Sequence, residues 1–189
     1  MKTITYLFAV IFTLSSLGLS AQSQQVNTEN SSIHWLGKKI GGQHDGFIEL
    51  ASGQLEEKEG RLVSGSFVID MTSISNTDLT DAGYNAKLLG HLMSDDFFGV
   101  ESFPTATLTL MKASTFKDGK ASANGDLTIK GITQPITFDI VKESNSYSTT
   151  LKVDRSKFNV KYGSTSFFES LGDKAIDDIF TLDIELAVN

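Results

Sequence analysis

Most of the chain beyond residue 30 alternates between apolar and polar residues, and short runs rich in Gly, Asp, Asn and Ser interrupt the alternation. A period of two is typical of a strand with one buried and one solvated face. The alternation predicts eight strands, at 32–37, 46–56, 61–74, 105–116, 121–130, 136–143, 147–160 and 180–188. Turn signals such as Gly41-Gly42 and Lys117-Asp118-Gly119 separate them.

The apolar residues of each predicted strand share one parity, and the other parity is rich in Thr, Lys, Asp and Glu. Each strand therefore has one apolar face. About eight antiparallel strands of this kind can close into a barrel or form a two-sheet sandwich. The strand at 180–188 could pair with the first strand, which would remove both edges. We predict an all-β fold, an eight-stranded antiparallel barrel with an apolar interior.

Residues 75–102 interrupt the strands, between the third and the fourth, and have helical periodicity. The residues on the predicted apolar face are Tyr84, Leu88, His91 and Leu92. Thr80 or Asp81 is a suitable N-cap, and Phe97 and Phe98 follow the helix. This segment predicts one amphipathic helix with an aromatic end that covers the barrel as a plug.

The first 21 residues have the features of a signal peptide: a basic Lys2, an apolar run at 4–14, and small residues at Leu19-Ser20-Ala21. We therefore expect a single mature domain, residues 22–189, in the periplasm or secreted further. No later segment approaches transmembrane length, so no membrane insertion of the mature chain is expected. The chain has no cysteine, and therefore no disulfide is expected. Its formal charge of −7 argues against nucleic acid as a partner.

Three motifs carry a family resemblance. They are Gly90-His91-Leu92-x-Ser94-x-Asp96-Phe97-Phe98 with Phe103-Pro104-Thr105-Ala106, then Gly125-x-Leu127-Thr128-Ile129-x-Gly131-x-Thr133, then Asp154-Arg155-x-x-Phe158. In this order they resemble the YceI-like family of exported polyisoprenoid-binding proteins, from Val26 to Val188. The resemblance implies a lipocalin-like barrel whose apolar channel holds an isoprenoid or fatty chain and performs no chemistry. The opening differs, because Asn27 to Ser31 replace the Asp-x-x-His-Ser of many members.

The inward parity, the plug and the family motifs together define the candidate ligand-binding residues. These are Phe67, Ile69, Leu88, His91, Leu92, Phe97, Phe98, Leu108, Leu110, Leu127, Ile129, Phe138, Arg155, Phe158, Phe168 and Ile184. The expected partner is an isoprenoid or another long-chain amphiphile. A homodimer is compatible with the sequence.

Arg155 shares parity with Leu151 and Val153, so a regular strand would point its guanidinium inward. A buried charge requires a partner. The partner is either a protein carboxylate, for which Asp154 is on the wrong face, or an anionic ligand group such as a phosphate. A β-bulge near Ser156 would instead rotate the side chain outward.

Two alternatives remain open. The first is a periplasmic enzyme that acts on a lipid-linked substrate through His44 or His91 with a nearby carboxylate. The chain has three histidines without metal-ligand spacing, and no nucleotide-binding or nucleophile-elbow motif, so neither a metal nor a cofactor is expected. The second is a barrel filled by its own phenylalanines, which would act as an interaction module.

Overall fold

Antiparallel strands dominate residues 21–189, which are the residues that the computed structural model describes. The strands are β1 (Gln22–Lys39), β2 (Gly42–Phe47), β3 (Glu49–Lys58), β4 (Arg61–Asp70), β5 (Thr105–Ala113), β6 (Lys120–Ile129), β7 (Ile132–Glu143), β8 (Ser146–Asp154) and β9 (Ile179–Val188). The helix α1 covers Ala82–Met93, and short 3-10 turns cover Met71–Ser73, Arg155–Phe158 and Gly172–Lys174. The predicted signal peptide lies outside the described residues, except for Ala21.

The sheet closes on itself through β1 and β9, which pair from Val26↔Val188 to Leu36↔Thr181. Strands β2 and β3 together form one strand of the barrel wall, because both pair with β1 and a single residue, Ile48, separates them. The Ile48 amide donates to the Ile33 carbonyl at 3.0 Å, so the ladder continues across the break. Counted in this way, eight antiparallel strands form a closed barrel, as predicted.

The apolar parity faces the interior. On β6, Leu127 and Ile129 are buried, whereas Thr128 between them lies at the partly solvated outer face. Bulges adjust this alternation where a strand must bend. In β5, Met111 is an extra residue without a partner in β6. The bulge shifts the alternation by one residue, so both Leu110 and Ala113 point inward. The core therefore follows the inner surface of the barrel rather than a plane between two sheets.

The helical insert lies between β4 and β5, and Asp81 is its N-cap. The Asp81 carboxylate accepts a hydrogen bond from the Tyr84 amide at 2.9 Å, as expected for a residue that satisfies a free N–H of the first turn. The prediction that Tyr84 lies on the buried face is wrong, since 69% of it is exposed. The first turns of α1 are mostly solvated, and burial begins only with Leu88 and Leu92. Within the described part of the chain, no helix has the length and apolarity needed to cross a bilayer.

The segment that leads into α1 is attached to β2 by close backbone contact. The Ser75 amide donates to the Phe47 carbonyl at 2.8 Å, and the Ser75 carbonyl accepts from the Trp35 indole at 2.9 Å. A Cβ at Gly46 would lie 1.9 Å from that Ser75 carbonyl oxygen. Gly46 therefore allows the connection to the plug to cross β2.

Gly46→Ala is expected to destabilise the fold by about 1–3 kcal/mol, because the new methyl group overlaps backbone atoms that have no free space to move into. Urea unfolding measures this loss. Gly37→Ala is the matched control, since its Cβ would meet nothing within 4 Å. Equal stability of the Gly46→Ala and Gly37→Ala variants would contradict the close crossing.

Candidate functional site

The barrel encloses an elongated cavity whose wall is almost entirely apolar. The space open to the centre of a water-sized sphere is about 160 Å³. One buried water needs roughly 10–15 Å³ by this measure, so the hollow is an order of magnitude larger than a packing defect. The hypothesis of a barrel filled by its own phenylalanines is therefore wrong.

The structure brings most of the predicted residues together on the wall of this cavity. Those that line it are Phe67, Ile69, Leu92, Phe97, Phe98, Leu108, Leu110, Leu127, Ile129, Phe138, Arg155 and Ile184. They come from strands on every side of the barrel and from the end of the plug. The structure thus shows that these twelve side chains line the cavity, and their contact with a ligand stays a prediction.

Four predicted residues lie outside the lining. Phe158 is buried in the 3-10 turn after β8, and Leu88 is a partly buried residue of α1 that packs against the core without reaching the cavity. Phe168 is exposed, because the segment after β8 leaves the strand path that alternation predicted. The His91 ring lies between Tyr162 and Phe97, with centroid distances of 4.2 and 5.7 Å, and not on the cavity wall.

Several lining residues were absent from the predicted set. Ile33 and Trp35 of β1, Leu55 of β3 and Tyr147 of β8 have inward parity, so their alternation with polar residues could have identified them. Ile176 comes from the irregular segment before β9, where no periodicity marks it.

Arg155 is buried, with 2% of its surface exposed, and its hydrogen-bond partners belong to the protein. Its Nε donates to the Asp177 carbonyl at 3.0 Å, and Nη2 donates to the Ile176 carbonyl at 3.0 Å. Nη1 donates to the Val160 and Tyr162 carbonyls at 3.0 and 2.8 Å. The guanidinium therefore ties the two ends of the loop between β8 and β9 together.

The charge of Arg155 also has a protein partner. Nη2 lies 3.3 Å from Asp178 Oδ1, an ion pair without hydrogen-bond geometry. Burial lowers the pKa of Arg155, and the neighbouring carboxylates, Asp178 first, oppose that shift. Of the two partners that the sequence left open, the structure shows the protein one. The carboxylate comes from Asp178, which is distant in sequence, so parity could not identify it.

The aromatic plug closes the barrel end next to this loop. Phe97 and Phe98 pack edge to face at 5.0 Å, and Phe97 lies 5.4 Å from the Arg155 guanidinium carbon. Lys130, in the tight turn after β6, donates to the Phe97 carbonyl at 2.9 Å. The plug is thus fixed both to the barrel rim and to the loop before β9.

A polar cluster closes the opposite end. Lys142 Nζ lies 2.7 Å from Glu57 Oε2, and the Tyr147 hydroxyl donates to the same oxygen at 2.9 Å. Burial opposes ionisation of Glu57, but the hydrogen bonds from Lys142 and Tyr147 outweigh it and lower the pKa of Glu57. Burial, followed by the contact with Glu57, raises the pKa of Tyr147. The cavity is thus apolar along its length and bounded by a charged cluster at this end.

The histidines give no support to the enzyme alternative. His34 Nε2 pairs with Asp45 at 3.0 Å, and His44 Nδ1 pairs with Asp78 at 2.8 Å. None of these four residues lines the cavity. His91 Nε2 is buried and has no hydrogen-bond partner in the described part of the chain. Within residues 21–189, no group of three His, Asp or Glu side chains has the geometry of a metal site.

The fold and the cavity define the class: a closed antiparallel β-barrel with an internal apolar cavity and a helical plug. The family model of the YceI-like domain matches residues 24–188, so the chain belongs to the YceI-like family. The resemblance seen in the three motifs is confirmed.

Curated relatives match only in part. A UPF0312 protein of Vibrio vulnificus is 37% identical over 82 residues, which cover 39% of this chain and 43% of that protein. A UPF0312 protein of Shewanella denitrificans is 31% identical over 81 residues, 39% of this chain and 42% of that protein. The chain thus spans less than half the length of these relatives.

Solved structures share the fold. BcnA of Burkholderia cenocepacia has a TM-score of 0.67 at 22% identity, and the match covers 87% of this chain and 99% of BcnA. A polyisoprenoid-binding domain from Saccharophagus degradans, implicated in plant cell wall breakdown, has a TM-score of 0.60 at 13% identity. That match covers 88% of this chain and 97% of the domain. At these identities the likeness establishes the barrel alone.

Arg155→Met is expected to destabilise the protein by about 3–5 kcal/mol, because it removes the cation beside the half-buried Asp178 carboxylate and the donors that the Val160, Tyr162, Ile176 and Asp177 carbonyls accept from. Urea unfolding measures the change. Lys157→Met is the control, since Lys157 is exposed and lies 3.9 Å from Asp154, which predicts a loss below about 1 kcal/mol. A small effect of Arg155→Met would contradict the structural role given to the guanidinium.

The Glu57 cluster predicts a pH-dependent contribution to stability. A carboxylate whose pKa is lowered by folding stabilises the protein above its unfolded pKa, and the contribution disappears as pH falls through the folded pKa. Glu57→Gln is therefore expected to cost about 1–3 kcal/mol at pH 7 and progressively less below about pH 4.

Unfolding free energies of both proteins between pH 3 and pH 7 test this expectation. Glu59→Gln, at an exposed turn residue outside the cluster, should change stability by less than about 0.5 kcal/mol at pH 7. If Glu57→Gln lowered the free energy of unfolding by the same amount at pH 3 and at pH 7, the ionic role of Glu57 would be disproved.

Proposed function

We propose that this protein binds the hydrocarbon chain of an isoprenoid or a similar long-chain amphiphile inside the barrel, and stores or carries it between membranes. The observation that carries the proposal is the continuous apolar cavity, which the protein's own side chains leave unfilled. An unfilled apolar space of this shape is complementary to an alkyl or prenyl chain. Membership of the YceI-like family, and the polyisoprenoid-binding domain among the proteins with this fold, support the same ligand class.

Burial of the chain alone supplies enough free energy. Each buried methylene contributes about 0.8 kcal/mol, so about ten of them contribute on the order of 8 kcal/mol. This gross gain corresponds to a Kd near micromolar before ordering costs are subtracted. Among the described residues that line the cavity, Arg155 is the one cationic side chain, and it already donates to carbonyls of the protein rather than to an anionic headgroup. We therefore expect the protein to recognise the chain more than the headgroup.

The proposed location is the periplasm or the extracellular space. The predicted signal peptide at the start of the chain supports it. A carrier of an insoluble chain between two membranes is needed where an aqueous compartment separates them.

Ala106→Phe tests the proposal by filling the cavity. Ala106 is buried on β5 and lines the hollow, so a phenyl ring there takes the place of the ligand chain. Loss of two methylene contacts costs about 1.6 kcal/mol, so the Kd should rise at least about tenfold. The measurement is fluorescence titration with cis-parinaric acid, followed by its displacement with geranylgeraniol.

Thr107→Phe is the matched control, because it adds the same ring to the outer face of the same strand. It should bind the probe with unchanged affinity. If the wild-type protein takes up neither probe, or if Ala106→Phe binds as tightly as the wild type, lipid binding in this cavity is ruled out.

A further inference from the structure

The barrel wall is incomplete at one seam, between β7 and β8. The ladder there consists of three residue pairs, Val141↔Ser148, Lys142↔Tyr147 and Glu143↔Ser146. The strands are 12 and 9 residues long, so they separate beyond Val141 and Ser148. On their other sides both strands remain paired along their length, β7 with β6 and β8 with β9. The split is therefore local.

The sequence of β7 contains a reason for the split. In an antiparallel ladder, the backbone groups of alternate residues point to the same neighbour. The Lys142 amide donates to the Gly119 carbonyl next to β6, so the backbone groups of Val141 and Glu143 point to β8. Those of Thr137 and Pro135 have the same direction. Proline has no N–H to donate and is confined to strand edges. Beyond the ladder, the Thr149 hydroxyl donates to the Asp139 carbonyl at 2.7 Å, a side-chain contact in place of a backbone pair.

The internal cavity reaches this seam. A cleft of about 800 Å³ lies on the outer surface along β7, β8 and β9. The residues that line both the internal cavity and this outer cleft are Phe138, Ser148, Thr149, Leu151 and Ile184. Ser148 has outward parity, between the inward Tyr147 and Thr149, and still lines the cavity. The internal cavity and the outer cleft therefore share a thin wall where the two strands separate.

Both ends of the barrel are closed by polar bonds. The contacts of Glu57 with Lys142 and Tyr147 close one end, and the Lys130 bond to the plug and the Arg155 bonds to the loop close the other. Widening either end breaks charge-assisted hydrogen bonds. In the described strands, widening the seam beyond Val141 and Ser148 breaks no backbone ladder bond. It breaks neutral side-chain contacts, from Thr149 to the Asp139 carbonyl and from Gln134 to the Lys157 carbonyl at 3.2 Å.

We propose that the split between β7 and β8 is a lateral portal through which the hydrocarbon chain of the ligand enters and leaves the cavity. The inference rests on the proposed function, since it assigns the route to the same cavity. The inner surface of the portal is apolar, with Phe138 and Leu151 on its two sides. Its outer rim has exposed polar residues, Thr137 and Lys152 among them. A chain can thus slide inward while a polar headgroup remains in water.

A cross-link across the seam tests the portal. Continuation of the β7–β8 register would place Thr137 opposite Lys152, and both are exposed. The chain has no cysteine of its own, so in Thr137→Cys/Lys152→Cys a short bis-maleimide joins only these two positions. Stopped-flow fluorescence with cis-parinaric acid then gives the rates of uptake and release. The cross-link should slow both at least tenfold and leave the Kd unchanged, because it blocks the route and not the cavity.

Ser66→Cys/Thr109→Cys is the matched control. These exposed residues face each other across the intact ladder between β4 and β5, and their cross-link should leave both rates as in the wild type. Fast uptake by the cross-linked seam variant, or equal slowing in the control, overturns the portal while lipid binding stands. A wild-type protein that takes up no probe overturns the proposed function, and the portal with it.

Amide hydrogen exchange gives a second reading that needs no variant. The Thr137 and Asp139 amides should exchange much faster than the Ser66 and Thr109 amides of the paired strands. Strong protection of Thr137 would show a closed ladder and would contradict the split.

Discussion

Closure of the backbone ladder determines the rest of this structure. Pairing of β1 with β9 closes the sheet into a barrel, apart from the split between β7 and β8, so the apolar face of every strand turns toward a common axis. Eight strands give a circumference at the limit of what side chains can fill. Here they leave a continuous hollow. The same constraint that buries the core thus creates the apolar cavity.

The two ends show how charge can border an apolar cavity without entering it. Arg155 uses its donors on carbonyls of the loop between β8 and β9 and keeps Asp178 beside it. Lys142 and Tyr147 satisfy Glu57 at the other end. Buried charges need such partners. Because each of these charges at the two ends is paired within the protein, none of them adds an unpaired charge to the lining. The cavity is therefore complementary to a hydrocarbon chain and offers few polar contacts to a charged headgroup.

Sequence periodicity predicted the part of the fold that depends on local rules. Inward parity placed Leu108, Leu110 and Leu127 on the cavity wall, and the capping preference of Asp81 located the start of α1. The prediction from periodicity failed where a strand ends earlier than the alternation does. Beyond Asp154 the chain turns into a 3-10 helix, so the partners of Arg155 come from residues without periodicity, and Phe168 lies at the surface. The prediction for Tyr84 failed for a different reason: the first turns of α1 contact the preceding loop, through the bonds from Asn85 to the Asn76 and Leu79 carbonyls, and leave Tyr84 in solvent.

Native mass spectrometry of the purified full-length chain, combined with organic extraction, tests whether the hollow holds a lipid. We expect that one long-chain lipid accompanies each barrel, that extraction removes it, and that added geranylgeraniol restores the mass of a one-to-one complex. A chain that retains nothing after gentle purification, and gains no mass from an excess of isoprenoid alcohol, would show that the hollow is not a lipid site.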